Sequence, residues 1–176
     1  MKKIFFAIFL IVTTMWVSGC GYSTRSALPP SWRTIYVPPF ENKIDFTAER
    51  QRNLYQPLLE VKVRDAVINR FLFDGSLKIA QEDQAALVLK GELVGYDRGP
   101  LRWDDSNDVQ EYRIQISVNL RLTEVKDGEL VFEEKGFSGE DTYFVSGPKA
   151  TSEDAALQGA LEDLARRVVE RTIENW

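Results

Sequence analysis

The chain has 176 residues, 44% of them hydrophobic, and its 22 basic and 27 acidic side chains give a formal charge of −5 at pH 7. This acidic balance argues against a nucleic-acid partner, because such partners require a basic surface that displaces counterions. With no histidine and one cysteine, the chain lacks an intrachain disulfide, the commonest general base and most metal-ligand sets, so we expect a non-enzymatic protein with no cofactor, metal or catalytic residue.

The N-terminus has the pattern of a bacterial lipoprotein signal peptide. A short basic head precedes residues 4–17, which are mostly apolar and uncharged. This run is shorter than the roughly 20 residues of a membrane-spanning helix and fits a signal peptide. Val17-Ser18-Gly19 then places one aliphatic and two small residues before Cys20. The alternatives are an ordinary secretory signal with a chance cysteine and an N-terminal anchor helix. We predict removal of residues 1–19 and acylation of Cys20.

Processing at this position defines the rest of the chain. Loss of residues 1–19 removes two lysines and no acid, which leaves 20 basic and 27 acidic side chains and a charge of −7. Gly21, in place of the aspartate that retains enteric lipoproteins in the inner membrane, favours the outer membrane. We expect residues 20–31 to be the acylated N-terminus and a short, proline-bearing tether. Residues 32–176 then have the length of a single domain.

The first half of this domain predicts one strand and one helix. Arg33–Val37 alternates like a strand, which Pro38-Pro39 should end because proline cannot continue a ladder. Residues 40–53 are polar and irregular, as in a loop. A helix should begin after Pro57 and end at Asp74-Gly75. Its apolar residues recur at helical spacing: Leu59, Val63, Ala66, Val67 and Phe71, with Val61, Ile68 and Leu72 widening the stripe.

The second half opens with a run of strands. Residues 77–80 predict a short strand and 87–96 a longer one. Asp97–Asp108, rich in turn residues, predicts a loop. From Tyr112 to Thr123 apolar and polar residues alternate without a fault, which indicates a strand with one buried and one polar face.

A hairpin and a final helix complete the pattern. Asp127-Gly128 predicts a turn into a strand from Glu129 to Phe144, with a bulge at Glu133–Gly136. Thr151–Asp154 has the composition of a helix N-terminus, and the apolar period continues from there towards Trp176. The predicted fold class is α+β, with two helices packed on one face of a mainly antiparallel four- to five-stranded sheet.

Several stretches resemble the lipopolysaccharide-assembly lipoprotein family LptE. They are Cys20-Gly21-Tyr22, Arg25 in the tether, Leu28-Pro29 before the first strand, the strand Glu111–Asn119, and Arg166-Arg167 in the last helix. The resemblance implies two helices on a four-stranded or slightly larger sheet. It also implies an outer-membrane lipoprotein, lipid-anchored on the periplasmic side. In that family the protein plugs the large β-barrel LptD, assists its assembly and helps deliver lipopolysaccharide to the outer leaflet.

The same resemblance implies lipopolysaccharide contact through basic residues. Arg102, placed before the Glu111 strand, matches one of them most closely, whereas Glu153 and Asp154 occupy the start of the last helix, where another basic residue is expected. From the residues alone, Arg98, Arg102 and Trp103 in the predicted loop are candidate contacts for lipopolysaccharide or for the barrel. Charge would pair with phosphate there, and the aromatic ring with acyl chain or sugar.

Two alternatives remain beside these readings. The first is that nearby acids neutralise both arginines and that Trp103 packs against the barrel or the core; these acids are Asp97, Asp104, Asp105 and Asp108. The second is a periplasmic lipoprotein that binds a lipidic ligand as an auxiliary of ABC-type lipid transport. That function requires a concave apolar pocket between helices and sheet.

Overall fold

A computed structural model of the protein describes residues 28–45 and 56–174. The predicted signal peptide, Cys20 with residues 21–27 of the predicted tether, and residues 46–53 of the predicted loop lie outside this part. The described elements are, in chain order, β1 Thr34–Tyr36, β2 Glu41–Asn42, α1 Leu59–Asp74, β3 Lys78–Ile79, β4 Leu87–Trp103, β5 Val109–Glu124, β6 Leu130–Phe144 and α2 Glu153–Ile173. Apart from β2, which was predicted to be part of a loop, the order is the predicted one, with longer strands in the second half.

The sheet has six strands in the order β3-β1-β4-β5-β6, with β2 following β1 along the same edge of β4. The long strands β4, β5 and β6 are antiparallel, whereas β1 and β2 run parallel to β4 and β3 runs parallel to β1. The predicted α+β class, with both helices on one face, is therefore confirmed. The sheet differs from the prediction in having six strands and in being mixed at one edge. The parallel pairings at that edge are made by the short strands β1, β2 and β3, each of two or three residues.

Both helices share one core with the inner face of the sheet. Alternate residues of β5 are completely or almost completely buried there: Ile114, Ile116, Val118, Leu120 and Leu122. α2 packs across β5 and β6, and α1 packs mainly on α2. The predicted stripe of α1 is buried at Leu59, Val63, Val67 and Phe71. Val61 and Leu72 were predicted to widen this buried stripe. That prediction is wrong, because the two side chains are 44% and 63% exposed.

Capping bonds confirm the predicted C-terminal end of α1 and the predicted N-terminal start of α2. Gly75 has φ +76°, and its N–H donates to the Phe71 carbonyl oxygen at 2.9 Å, which closes α1. At the other helix the Ser152 hydroxyl oxygen accepts the Ala155 N–H at 3.1 Å. These local signals are strong because a single side chain or a single dihedral angle satisfies them.

One predicted loop is partly a strand. The chain stops pairing at Pro38-Pro39, as predicted, but resumes at β2, which pairs with Glu92 and Leu93 of β4. Phe40 between them is buried, and a Cβ at Gly91 would overlap its ring. The prediction of a loop was therefore wrong for Glu41–Asn42 alone, which pair with β4 beside the buried Phe40 ring.

Candidate functional site

The hairpin between β4 and β5 is longer than predicted. β4 continues to Trp103 and β5 begins at Val109, so the predicted loop of residues 97–108 is a turn of only five residues. The strand tolerates Pro100 because a register shift between Pro100 and Arg102 relieves the ladder at that point. We call residues 99–110 the hairpin tip. Trp103, one of the predicted contacts, lies there at the end of its strand.

The turn itself is built by Asp104. One oxygen of its carboxylate accepts the N–H groups of Ser106 and Asp108, both at 2.9 Å. Asn107 has φ +66°, a left-handed conformation that asparagine tolerates better than most residues. Asp104 therefore shapes the turn. The alternative expected the arginines to be neutralised by the four nearby aspartates. The structure shows other partners, because Arg98 pairs with Glu153 and Arg102 with Glu111.

Arg98 lies on the helix face of the sheet, and its guanidinium contacts side chains on that face. It pairs across the ladder with Ile114, and its Nη1 donates to the Glu153 carboxylate at 2.7 Å. Its guanidinium also lies 5.4 Å from the centre of the Tyr112 ring. The hydrogen bond to Glu153 raises the pKa of Arg98. Arg98 thus ties β4 to the first turn of α2 and is not a free cation.

Glu153 collects two further partners that sequence reasoning missed. The hydroxyls of Tyr96 and Tyr143 donate to its two carboxylate oxygens at 3.4 and 3.2 Å. Burial, and then the charge of Glu153, raise the pKa of both phenols, that of Tyr96 to about 12. This Glu153 cluster joins β4, β6 and α2. No sequence signal indicated it, because Tyr96 lies 57 residues from Glu153.

Arg102 lies on the opposite face, at the hairpin tip. Its Nε is 3.6 Å from the Glu111 carboxylate, and its guanidinium lies 5.6 Å from the centre of the Phe144 ring. Glu111 is three residues before the inward-facing Ile114, so strand alternation directs it outward. The structure therefore separates the two predicted arginines. Arg102 directly precedes Trp103 in the strand, and the Trp103 side chain is 49% exposed.

The outward face of the sheet is polar along its length. On β5 it carries Arg113, Gln115, Ser117, Asn119 and Arg121. Several of these side chains bind their cross-strand neighbours: Arg113 lies 3.6 Å from Glu140, and the Asn119 amide donates to Glu92 at 3.0 Å. This face therefore carries charges of both signs.

The lipidic-ligand alternative requires a pocket between the helices and the sheet, and the described interface there is closely packed. The core side chains that meet in it are almost completely buried. Two large grooves lie elsewhere: one between the outer sides of α1 and α2, the other on the outward sheet face beside Pro38-Pro39. Within residues 28–45 and 56–174 no group of acidic side chains could hold a metal ion, and no helix is long and apolar enough to cross a membrane.

The Glu153 cluster predicts how stability depends on alkaline pH. Because the folded state keeps Tyr96 protonated up to about pH 12 while the unfolded chain ionises near pH 10, the unfolded state binds fewer protons between these values. The free energy of unfolding should therefore fall across pH 10–12, by about 1–2 kcal/mol. Urea unfolding at several pH values measures it. Tyr96→Phe should flatten most of the slope, leaving the smaller contribution of Tyr143; an unchanged slope would contradict the assignment.

Comparison with solved structures finds the same fold in bacterial proteins of low identity. A hypothetical protein from Chlamydia trachomatis superposes with a TM-score of 0.56 at 14% identity, over 81% of this chain and 96% of that chain. A protein from Xanthomonas campestris gives 0.55 at 14% identity, over 84% and 90%. An uncharacterized lipoprotein B from Nitrosomonas europaea gives 0.50 at 12%, over 88% and 91%. At these identities the likeness establishes the fold alone.

Comparison with protein families gives a more specific result. No individual curated protein matches the chain significantly. The sequence model of the LptE family, described as lipopolysaccharide-assembly, matches residues 32–172. This range covers both helices almost completely and all six strands of the sheet. The chain therefore belongs to the LptE family of lipopolysaccharide-assembly lipoproteins of the bacterial envelope.

Proposed function

We propose that this protein is the non-catalytic plug of a large outer-membrane β-barrel of the LptD type. In this role it assists assembly of the barrel and delivery of lipopolysaccharide to the outer leaflet. Family membership supports the general process. The observation that carries the more specific role is the outward face of the sheet, where polar and basic side chains along β5 meet acidic side chains of β4 and β6.

A polar face of this kind suits the inside of a barrel. Outer-membrane barrels are apolar towards lipid and polar towards their lumen, because their strands alternate between the two. A plug must therefore offer a polar surface, and one of mixed charge can pair with donors and acceptors on the wall. The close packing between helices and sheet supports this role over the carriage of a lipidic ligand in ABC-type lipid transport.

The hairpin tip supplies a second surface for this role. Arg102 and Trp103 are consecutive residues there, and Trp103 is half-exposed. An exposed aromatic ring and an exposed guanidinium on one hairpin tip suit contact with the barrel, since both groups are enriched at protein interfaces. A lipopolysaccharide phosphate in contact with Arg102 would share the guanidinium with the Glu111 carboxylate, because the Arg102 side chain is 62% exposed and carries five N–H donors. Arg98 contributes by holding the tip strand to α2 through Glu153.

The membrane anchor belongs to the same proposal. Acylation of Cys20 would hold the domain on the periplasmic side of the outer membrane through the tether of residues 20–31. One acyl chain gives only marginal binding, whereas two or more give stable anchoring. A diacylglyceryl thioether with an N-acyl group such as palmitate meets that condition. The anchor would thus keep the plug close to the barrel during assembly.

Co-purification tests the proposed function. The full-length tagged chain, extracted from outer membranes in mild detergent, should bring down a large β-barrel in roughly equal amount. Depletion of the chain should lower both the folded barrel and surface-exposed lipopolysaccharide, measured by heat-modifiability in gels and by antibody binding to intact cells. Recovery of the chain as a monomer without a barrel, together with normal lipopolysaccharide display after deletion, would overturn the proposal.

A further inference from the structure

Strand β6 ends the sheet, because β5 is the one strand with which it pairs in the described part of the chain. The far side of such an edge carries N–H and C=O groups that can pair with a strand of another molecule. In an antiparallel ladder, alternate residues direct both of their backbone groups to the same side. Ser138, Glu140, Thr142 and Phe144 direct theirs away from β5, and we call these the edge groups of β6.

Side chains of α2 occupy two of the edge groups. The Glu140 N–H donates to the Asp163 carboxylate at 3.2 Å, and the Arg167 guanidinium donates to the Ser138 carbonyl oxygen. The same guanidinium lies 5.3 Å from the centre of the Phe137 ring, which holds it against the strand. One carboxylate and one guanidinium therefore stand where a neighbouring strand would place a C=O and an N–H group.

The chain closes two further edge groups itself. The Thr142 N–H donates to the Asp141 carboxylate at 2.8 Å, and the Phe144 carbonyl oxygen accepts the Thr151 N–H at 3.1 Å. Nearer the start of β6, Gly136 with φ +65° interrupts the strand at the bulge. Bonded edge groups and bulges both hinder the addition of a strand. The edge of β6 is thus protected over much of its length.

A regularly spaced row of residues brings α2 to this edge. Asp163, Arg167 and Arg171 follow one another at intervals of four, which places them on one side of the helix. Arg171 continues the row by donating to the Glu134 carboxylate of β6 at 2.9 Å. The helix can lie this close because Gly139 has no Cβ, which would overlap the α2 backbone. The fold therefore presents this row to the edge of the sheet.

We propose that Asp163 and Arg167 are edge caps, which keep β6 from adding a strand of another molecule. The strand that they exclude is the β6 edge of a second copy of this chain. Two identical antiparallel edges are self-complementary, because a two-fold axis relates them and each group meets its counterpart. Acylation at Cys20 would hold many copies on one membrane surface and so raise their local concentration. Edge capping is independent of the plug role, because it concerns this chain alone.

The test opens the edge by combining Asp163→Ala with Arg167→Ala in the full acylated chain, which leaves the net charge unchanged. We expect this double variant to dimerise in detergent with a dissociation constant at least tenfold below that of the wild type, because the freed edge groups of each copy gain strand partners. Size-exclusion chromatography with light scattering measures it over a range of concentrations. The control combines Lys62→Ala with Asp65→Ala, which removes one exposed charge of each sign from α1, and should behave like the wild type.

Two further variants separate strand pairing from misfolding. Asp163→Asn keeps an acceptor for the Glu140 N–H and should stay monomeric. Glu140→Pro, added to the double variant, removes an N–H that a second strand would bind, and an edge strand tolerates proline there. This triple variant should return to the monomer and keep the circular dichroism spectrum of the wild type. A double variant that folds and associates no more than the wild type overturns the proposal, and so does association that the proline leaves unchanged.

Discussion

Replacing Gly139 by alanine is expected to destabilise the protein by about 3 kcal/mol, the upper end of overpacking costs. Gly139 lies on the inner face of β6 opposite Ile116, where α2 crosses the sheet. A Cβ at this position would overlap the backbone nitrogen and Cα of Leu164. Backbone atoms cannot move aside as a side-chain end can. The helix would therefore have to lift from the sheet and lose core contacts along its length.

The matched control is Gly95→Ala. Gly95 also lies in a long strand, but a Cβ there would meet the Ser117 Cβ only at 3.4 Å, an ordinary contact. Its variant should unfold within about 2 °C of the wild type, whereas Gly139→Ala should lower the thermal midpoint by roughly 6–12 °C in a domain of this size. Circular dichroism measures both. Equal midpoints for the two variants would show that α2 does not approach β6 this closely.

Much of the fold could be predicted because it depends on local signals. The alternation from Tyr112 to Thr123 identifies β5 and its buried face, since only one register places all its apolar side chains in the core. Gly75 and Ser152 mark helix ends through their own conformation or hydroxyl. The bulge predicted at Glu133–Gly136 is also found, where the register between β5 and β6 shifts and Gly136 has φ +65°.

The remaining features depend on contacts between distant residues. Residues 97–103 contain a glycine and a proline, so their composition indicates a loop, yet pairing with β5 extends them as a strand. Likewise Phe40 sits in a polar segment and is buried only because Gly91, far along the chain, leaves room for it. The parallel strands β2 and β3 are two residues long, too short for any periodicity to appear.

The sequence named candidate contact residues but did not predict which face of the sheet each of them occupies. Arg98, Arg102 and Trp103 are close in sequence, but strand geometry sends Arg98 to the helix face and Arg102 to the outward face. The sequence predicted no role for Glu153. It stands where a basic residue is expected from the family, and the structure shows it as the common acceptor for Arg98 and two tyrosines. A tertiary network of this kind leaves no trace in sequence spacing.

Substituting Cys20 by alanine is expected to abolish lipid attachment completely. The lipoprotein pathway requires a thiol, and Cys20 is the only cysteine in the chain. Labelling cells with radioactive palmitate should mark the wild type and leave the variant unlabelled. The variant should also keep residues 1–19, which mass spectrometry detects. Ser18→Ala, which retains a small residue before the cleavage site, is the control and should be labelled and processed normally. Labelling of the alanine variant would contradict the assignment of Cys20.

A further variant separates the anchor from the plug. Residues 1–20 are replaced by a cleavable secretory signal without a cysteine, so that the domain is exported but not acylated. Loss of the acyl chains removes the proposed anchor, so binding to the barrel is then the one proposed contact that holds the domain at the membrane. The domain should therefore be soluble in cells depleted of the barrel and membrane-bound in cells that overproduce it. Equal membrane binding in both would show that something other than the barrel retains the domain.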